Sequence, residues 1–339
     1  MSFTVKHIRK YMRWISKEAI AYRETSKVSH NLALKNLRLD VALLLQSSSK
    51  KIDAAAVAKH KWILTYLRRC CPETLKKYSA AEVSEIHITP QNEIKMWSMW
   101  WQGEDAAEPL FKMCIESARK YTHKPVVVLS KDNYSDYFDI PEYILRKYSA
   151  GKIAVQHMCD LMVVSVLAAQ GGFFTGATVY VSQEVPEELL ISPFFTCRAV
   201  TESKYLISQS RWVGYLLAGS KDFPLFSFAR DFLLEYWENN DKAVDYLLLD
   251  YIFELAYETI PCVKRMIDAL PDNNLRRNTL INYLCEPYDA NQFSEFADGE
   301  TKFYKLSWKF GNKAVKTADG KLTNYGHMLQ ELGIEEGND

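Results

Sequence analysis

Residues 157–182 constrain this chain most: His157-Met-Cys-Asp160-Leu-Met-Val163-Val-Ser-Val-Leu-Ala-Ala-Gln170-Gly171-Gly172-Phe-Phe174-Thr-Gly176-Ala177-Thr178-Val-Tyr-Val-Ser182. The apolar run reads as a helix over 154–169. The glycine pair stops it, because glycine takes the left-handed backbone of a helix C-terminus without a steric penalty. A strand over 173–181 follows and opens into a polar turn of small residues. The pair is no dinucleotide fingerprint, since no third glycine stands at the right spacing and no helix follows.

The flanking sequence repeats this alternation. Ile94–Trp101 reads as a strand, 108–121 as a helix, and Val126–Leu129 as a short strand apolar enough for a parallel sheet. Asp139-Ile-Pro141 opens another helix, with proline in its first turn. Shorter strands are expected at 194–200 and 205–208, helices at 223–238, 242–258 and 261–269, and a late strand at 303–309. Alternation of this kind predicts an α/β fold with helices on the faces of a sheet.

The first 85 or so residues read as helical. Ile8, Met12, Ile15, Ala19 and Tyr22 share one helix face, and residues 1–30 carry seven Lys or Arg against two Asp or Glu. Such a helix either lies on an anionic membrane surface or packs on its own domain with a solvated basic face. Asp53 is expected to cap a further helix whose stripe is Trp62, Ile63, Tyr66, Leu67 and Cys70, ended near Pro72. The expected organisation is a helical extension over 1–88, an α/β domain over 89–325 and a polar tail over 326–339.

Forty-two basic and 42 acidic residues leave no net charge, which argues against nucleic acid as the main partner. Seven cysteines, an odd number without metal-ligand spacing, fit reduced thiols. No apolar run reaches the roughly 18 residues of a membrane span, and no secretory leader is visible. A cytoplasmic protein, at most at the inner face of the membrane, is the expectation.

Several side chains invite a chemical role. Trp97-Ser-Met-Trp100-Trp101-Gln102-Gly103 ends the first sheet strand, and ligands of open α/β sheets bind beyond the carboxyl ends of the strands. A tryptophan there serves a flat base or simply fills the core. Asp160, in an apolar helix, needs solvent, a backbone group or a ligand hydroxyl to satisfy it. His157 is either an acid, base or sugar ligand, or a packing residue. Trp212 and Gly214 lie in an aromatic, glycine-containing strand or turn that suits a sugar or the core. Asp245 and Asp250, both placed on the 242–258 helix, stand about 140° apart around its axis. At most one of them is then a base or sugar ligand, and the alternative is two solvated or capping residues.

Taken in order, these features resemble the capsular polysaccharide synthesis proteins, a glycosyltransferase family with a GT-A-type fold, over roughly residues 56–310. The resemblance rests on Trp100, Gln102-Gly103, Pro109, Asp132-Asn133-Tyr134, Asp139-Ile-Pro141, Asp160, Gly171-Gly172, Leu216-Leu-Ala218-Gly219 and Phe303–Lys309. It implies a GT-A-like nucleotide-sugar-binding sheet with an N-terminal helical extension and C-terminal helices. The implied activity is transfer of a sugar from a nucleotide-sugar donor to a glycan acceptor. It further implies that Trp100 stacks on the nucleobase, Asp160 contacts the ribose or donor sugar, and Ala177 with Thr178 lies near the diphosphate. His157, Trp212 and Gly214 become sugar or acceptor contacts.

Three positions depart from the family pattern. Val163 stands where the family has Arg, Phe174 where it has Trp, and Gly176 where it has the Asp of Asp-Ala-Thr. Glycine offers no side-chain oxygen to a hard cation, so Mn2+ or Mg2+ has little support in the sequence. A catalytically weakened relative that binds nucleotide-sugar or glycan is the alternative reading, and a helical interaction protein working through its N-terminus is another. Restoring Gly176→Asp with Val163→Arg is expected to raise turnover and make it metal-responsive.

Overall fold

A computed structural model describes residues 3–79, 94–221, 223–309 and 314–334, with side chains described from residue 15 onward. Four helices lead: α1 (Phe3–Ser26), α2 (His30–Leu44), α3 (Ser49–Cys70) and α4 (Pro72–Ser79). Ser29 caps α2 by accepting from the Leu32 amide. The α3 helix starts ahead of Asp53, the residue expected to cap it. That carboxylate instead accepts from Ser203 Oγ (3.1 Å) and the Lys204 amide (2.9 Å), tying α3 to a distant loop. Ile63 and Leu67 of the expected stripe are fully buried in the main core. On α1, Ile15 and Ala19 of the expected apolar face remain exposed.

The sheet contains β1 (Met96–Met99), β2 (Val126–Leu129), β3 (Gly172–Thr175), β5 (Phe194–Thr196) and β6 (Leu216–Gly219), in the order β2-β1-β3-β6-β5. Both neighbours of β1 run parallel to it, while β6 is antiparallel to β3 and β5. A separate ribbon pairs β4 (Val179–Val181) with β7 (Phe303–Lys305). The helices α5 (Pro109–Thr122), α6 (Glu142–Ser149) and α7 (Val155–Gln170) make the crossovers, and α8 (Glu187–Leu190) precedes β5. The C-terminal part adds α9 (Pro224–Asn239), α10 (Leu248–Thr259), α11 (Pro261–Ala269), α12 (Ala290–Ala297) and α13 (Asn324–Glu331). The expected α/β architecture with N- and C-terminal helices is therefore what the chain adopts.

Alternation along the strands builds a core on each face of the sheet. Met96, Phe173, Phe195 and Leu216 pack with Phe111 and Ile115 of α5 on one face. Trp97, Phe174, Phe194 and Leu217 pack with α7 and α9 on the other. At the turn between α7 and β3 both glycines have positive φ, 65° and 105°, and a Cβ on Gly172 would sit 2.4 Å from the Lys95 carbonyl oxygen. No other residue type fits there.

Four elements differ from the sequence expectation. The 173–181 strand breaks at Gly176–Thr178, because the Gly176 amide turns to the Tyr215 carbonyl (2.7 Å) and the chain leaves the main sheet. Residues 205–208 form turns rather than a strand. Strand β6 is paired on both sides. The 242–258 helix begins only at Leu248, since Asp245 accepts the Leu247 amide (2.9 Å) and holds that segment in a turn. Past residue 325, α13 buries Met328 and Leu329 against α5 and the C-terminal segment.

Candidate functional site

The chain passes from β1 outward to β2 and returns on the other side of β1 to β3. Such a reversal opens a crevice beyond the carboxyl ends of the two central parallel strands. Trp100 follows β1 there, its amide bonded to the Leu129 carbonyl at 3.0 Å. The Gly176–Thr178 turn follows β3. The indole of Trp100 packs on Phe111 and Trp308, with centroids 5.0 Å from each, and its Nε1 is buried without a partner. Trp308 is brought in because Leu306 donates its amide to the Thr178 carbonyl (2.7 Å).

Helix α7 carries His157 and Asp160 to the same edge. Asp160 lies roughly 16 Å along α7 from the glycine turn, while the four residues of β3 rise roughly 13 Å, so both ends are level. Asp160 keeps 15% of its side chain exposed and accepts from Gln156 Nε2 at 3.2 Å. Enclosure by protein raises its pKa; His157, whose Nδ1 lies 3.6 Å away, opposes this. His157 itself is buried, 5.8 Å from the Trp237 ring, and its Nδ1 makes no hydrogen bond. It stands behind Asp160 rather than open to a ligand.

Next to this edge is a pocket of about 300 Å³ lined by Trp212, Gly214, Tyr215, Asp250, Arg277 and Asn278, among others. It unites three residues singled out from sequence: Trp212, Gly214 and Asp250. Gly214 is exposed at its mouth. Trp212 is only 1% exposed and lies under the Arg211 guanidinium, so its ring offers no open sugar platform. Its Nε1 instead donates to Asp250 Oδ1 at 3.0 Å. Asp250 is pushed up to about 7 by burial first; Asp160 and Asp245 raise it further, while the Trp212 bond opposes the rise.

Asp245 is not on the α10 helix, so the 140° separation expected of the two carboxylates does not apply. It lies close enough to influence Asp250, but its carboxylate is held by Lys59 at 2.7 Å. Asp250, on the first turn of α10, is the one facing the pocket.

Two further residues are not among the side chains to which the sequence gives a chemical role, although Lys305 lies within Phe303–Lys309. Lys305, at the end of β7, donates to Thr178 Oγ1 and to the Leu306 carbonyl (2.8 Å), 5.5 Å from the Tyr215 ring centroid. Burial lowers its pKa. Arg277 is 8% exposed and lines the pocket beside Tyr215. The signal for Lys305 is a lone cation inside the apolar run Phe303-Tyr-Lys-Leu306. Arg277 sits in an aperiodic stretch and gives none.

A model of the capsular polysaccharide synthesis proteins matches residues 45–327, most of the chain. The chain belongs to the capsular polysaccharide synthesis protein family. No curated protein and no solved structure matches it. Within this capsular polysaccharide synthesis protein, two of the three departures from the family pattern are fixed by packing. A Cβ on Gly176 would meet the Tyr215 carbonyl oxygen at 2.9 Å, and Val163 is 4% exposed in the main core. Asp at 176 and Arg at 163 would therefore strain the fold, a cost set against the gain of turnover expected of the double substitution. Among the described residues no cluster of three His, Cys, Asp or Glu side chains is placed to hold a metal ion. No described helix is long and apolar enough to cross a membrane.

Proposed function

We propose that this protein transfers a sugar from a nucleotide-sugar donor to a glycan acceptor in capsular or other surface polysaccharide synthesis, on a GT-A-like sheet. The observation that carries the reading is Asp250: a carboxyl raised to about 7, on the wall of a pocket beside the carboxyl edge of the sheet. A group poised near neutrality both accepts a proton and exists in its basic form at working pH. The acceptor hydroxyl would bond to the anomeric carbon while the bond from that carbon to the diphosphate breaks. The electron pair leaves on the phosphate oxygen, and the hydroxyl proton passes to Asp250.

Trp212 holds Asp250, Asp160 tunes it, and Trp100 stands where a base would stack, with Ala177 and Thr178 beside the diphosphate. The exposed Ile15 and Ala19 of the basic helix α1 support peripheral contact with an anionic membrane surface. The test is release of nucleoside diphosphate from a panel of nucleotide-sugars with and without glycan acceptors. Turnover that Asp250→Asn abolishes supports the reading. A wild-type protein that binds donors without turning them over supports instead a binding-only relative, the reading that Val163 and Gly176 favour.

A further inference from the structure

A buried cation is costly unless an anion or several acceptors compensate it. Arg277 is buried and Lys305 half-buried, and among the described residues neither forms an ion pair with a carboxylate. What meets Lys305 is a hydroxyl and a carbonyl, while Arg277 lines the same pocket as Tyr215. The backbone fixes the two residues together, because the Lys305 amide donates to the Arg277 carbonyl at 2.7 Å. Tyr215 stands beside both: the Lys305 ammonium lies 5.5 Å from its ring centroid, and Arg277 lines a pocket with it.

Their position suggests which anion would suit them. Lys305 touches Thr178, which the family resemblance implies lies near the diphosphate. The Gly176 backbone is bonded to Tyr215, the residue both cations approach. One cation offers a compact ammonium and the other a planar fork of donors suited to phosphate oxygens.

We propose that Lys305 and Arg277 form a built-in cation pair that binds the diphosphate of the donor in place of a divalent metal. This rests on the transferase reading and adds to it how the leaving group is neutralised. Fixed positive charge beside the departing phosphate stabilises charge that develops only as the sugar bond breaks.

The test is calorimetric titration of the full chain with inorganic pyrophosphate and with UDP, GDP, CDP and ADP, in EDTA and in Mn2+. Pyrophosphate and at least one nucleotide are expected to bind in EDTA, with affinity changed less than about twofold by Mn2+. Lys305→Met and Arg277→Gln are each expected to weaken binding at least about tenfold, and Lys305→Arg to restore most of it. Binding that requires Mn2+, a wild type that binds none of these anions, or both truncations binding like wild type would overturn the proposal. Should the truncations fail to fold, the chelator comparison on the wild type decides. Transfer that depends on Mn2+ sinks the cation pair and leaves the transferase standing. Chelator-insensitive pyrophosphate binding without any use of nucleotide-sugars does the reverse.

Discussion

Asp250→Asn is expected to make the protein more stable above neutral pH while removing its turnover. The Asp250 carboxyl rises from 3.8 to about 7 on folding. Between about pH 4 and pH 7 the folded chain keeps a proton that the unfolded chain has lost, so stability falls as pH rises through that window. Three pKa units correspond to about 4 kcal/mol, and relaxation around the charge brings the working figure to about 2–4 kcal/mol. Asparagine resembles the protonated carboxyl, accepts the Trp212 bond and cannot ionise. Its advantage is therefore full above pH 7 and fades toward pH 4. With an unfolding entropy of about 2.1 cal/mol/K per residue, a chain of this length gains roughly 3–6 °C in Tm. Scanning calorimetry at pH 5, 6, 7 and 8 reads the gain, and donor turnover is followed in parallel, with a loss of about 100-fold or more. A lower Tm at pH 8, or a gain that does not change with pH, refutes the burial argument. A pH-dependent gain with intact turnover would leave Asp250 a buried carboxyl and nothing more.

Three other outcomes are expected. Asp160→Asn removes a like charge near Asp250, so the acidic limb of the turnover profile shifts to lower pH by up to about one unit; a limb that stays put or moves up contradicts the coupling. Gly176→Asp forces a Cβ against the Tyr215 carbonyl and costs on the order of 1–3 kcal/mol, seen as a lower Tm that Mn2+ does not restore; an unchanged Tm or stabilisation by Mn2+ would show that the turn yields. Trp100→Ala weakens nucleoside diphosphate binding by about 1–3 kcal/mol, the scale of a base–aromatic stack; unchanged affinity in a protein whose circular dichroism is intact removes Trp100 from the site.

The parts of this fold that were legible are those set by local rules. Gly171-Gly172 marks the end of α7 because only glycine fits both positive φ angles and the approach of the Lys95 carbonyl. Val126–Leu129 is a strand at its expected bounds because its run is short, apolar and flanked by polar turns. The site was legible where it hangs on these elements: Trp100 after β1, Asp160 on α7, the turn after β3. What escaped depends on contacts distant in sequence. Asp245 leaves its helix because Lys59 and the Leu247 amide hold it. Trp212 reads as a sugar platform until Arg211 is seen to cover it. Lys305 and Arg277 acquire meaning only through Tyr215, which neither neighbours in the chain.

The loss of a carboxylate at 176 and of an arginine at 163 has two physical interpretations, decay of a site or its reconstruction. Decay removes a side chain and leaves its surroundings unoccupied. Here the Tyr215 carbonyl fills the space that a carboxylate side chain at position 176 would need and accepts the Gly176 amide, and Val163 is packed into the core that α7 shares with α9. On the same turn, a half-buried lysine bonds Thr178, and a buried arginine lines a pocket with Tyr215. A buried arginine and a half-buried lysine, neither paired with a carboxylate among the described residues, are costly to retain in a fold that no longer meets an anion. Binding of that anion would return the stability, by mass action, only to a protein that still encounters it. The arrangement therefore argues for a site in which fixed positive charge has taken over the work of a carboxylate-held metal, with Asp250 left as the titratable group of the pocket.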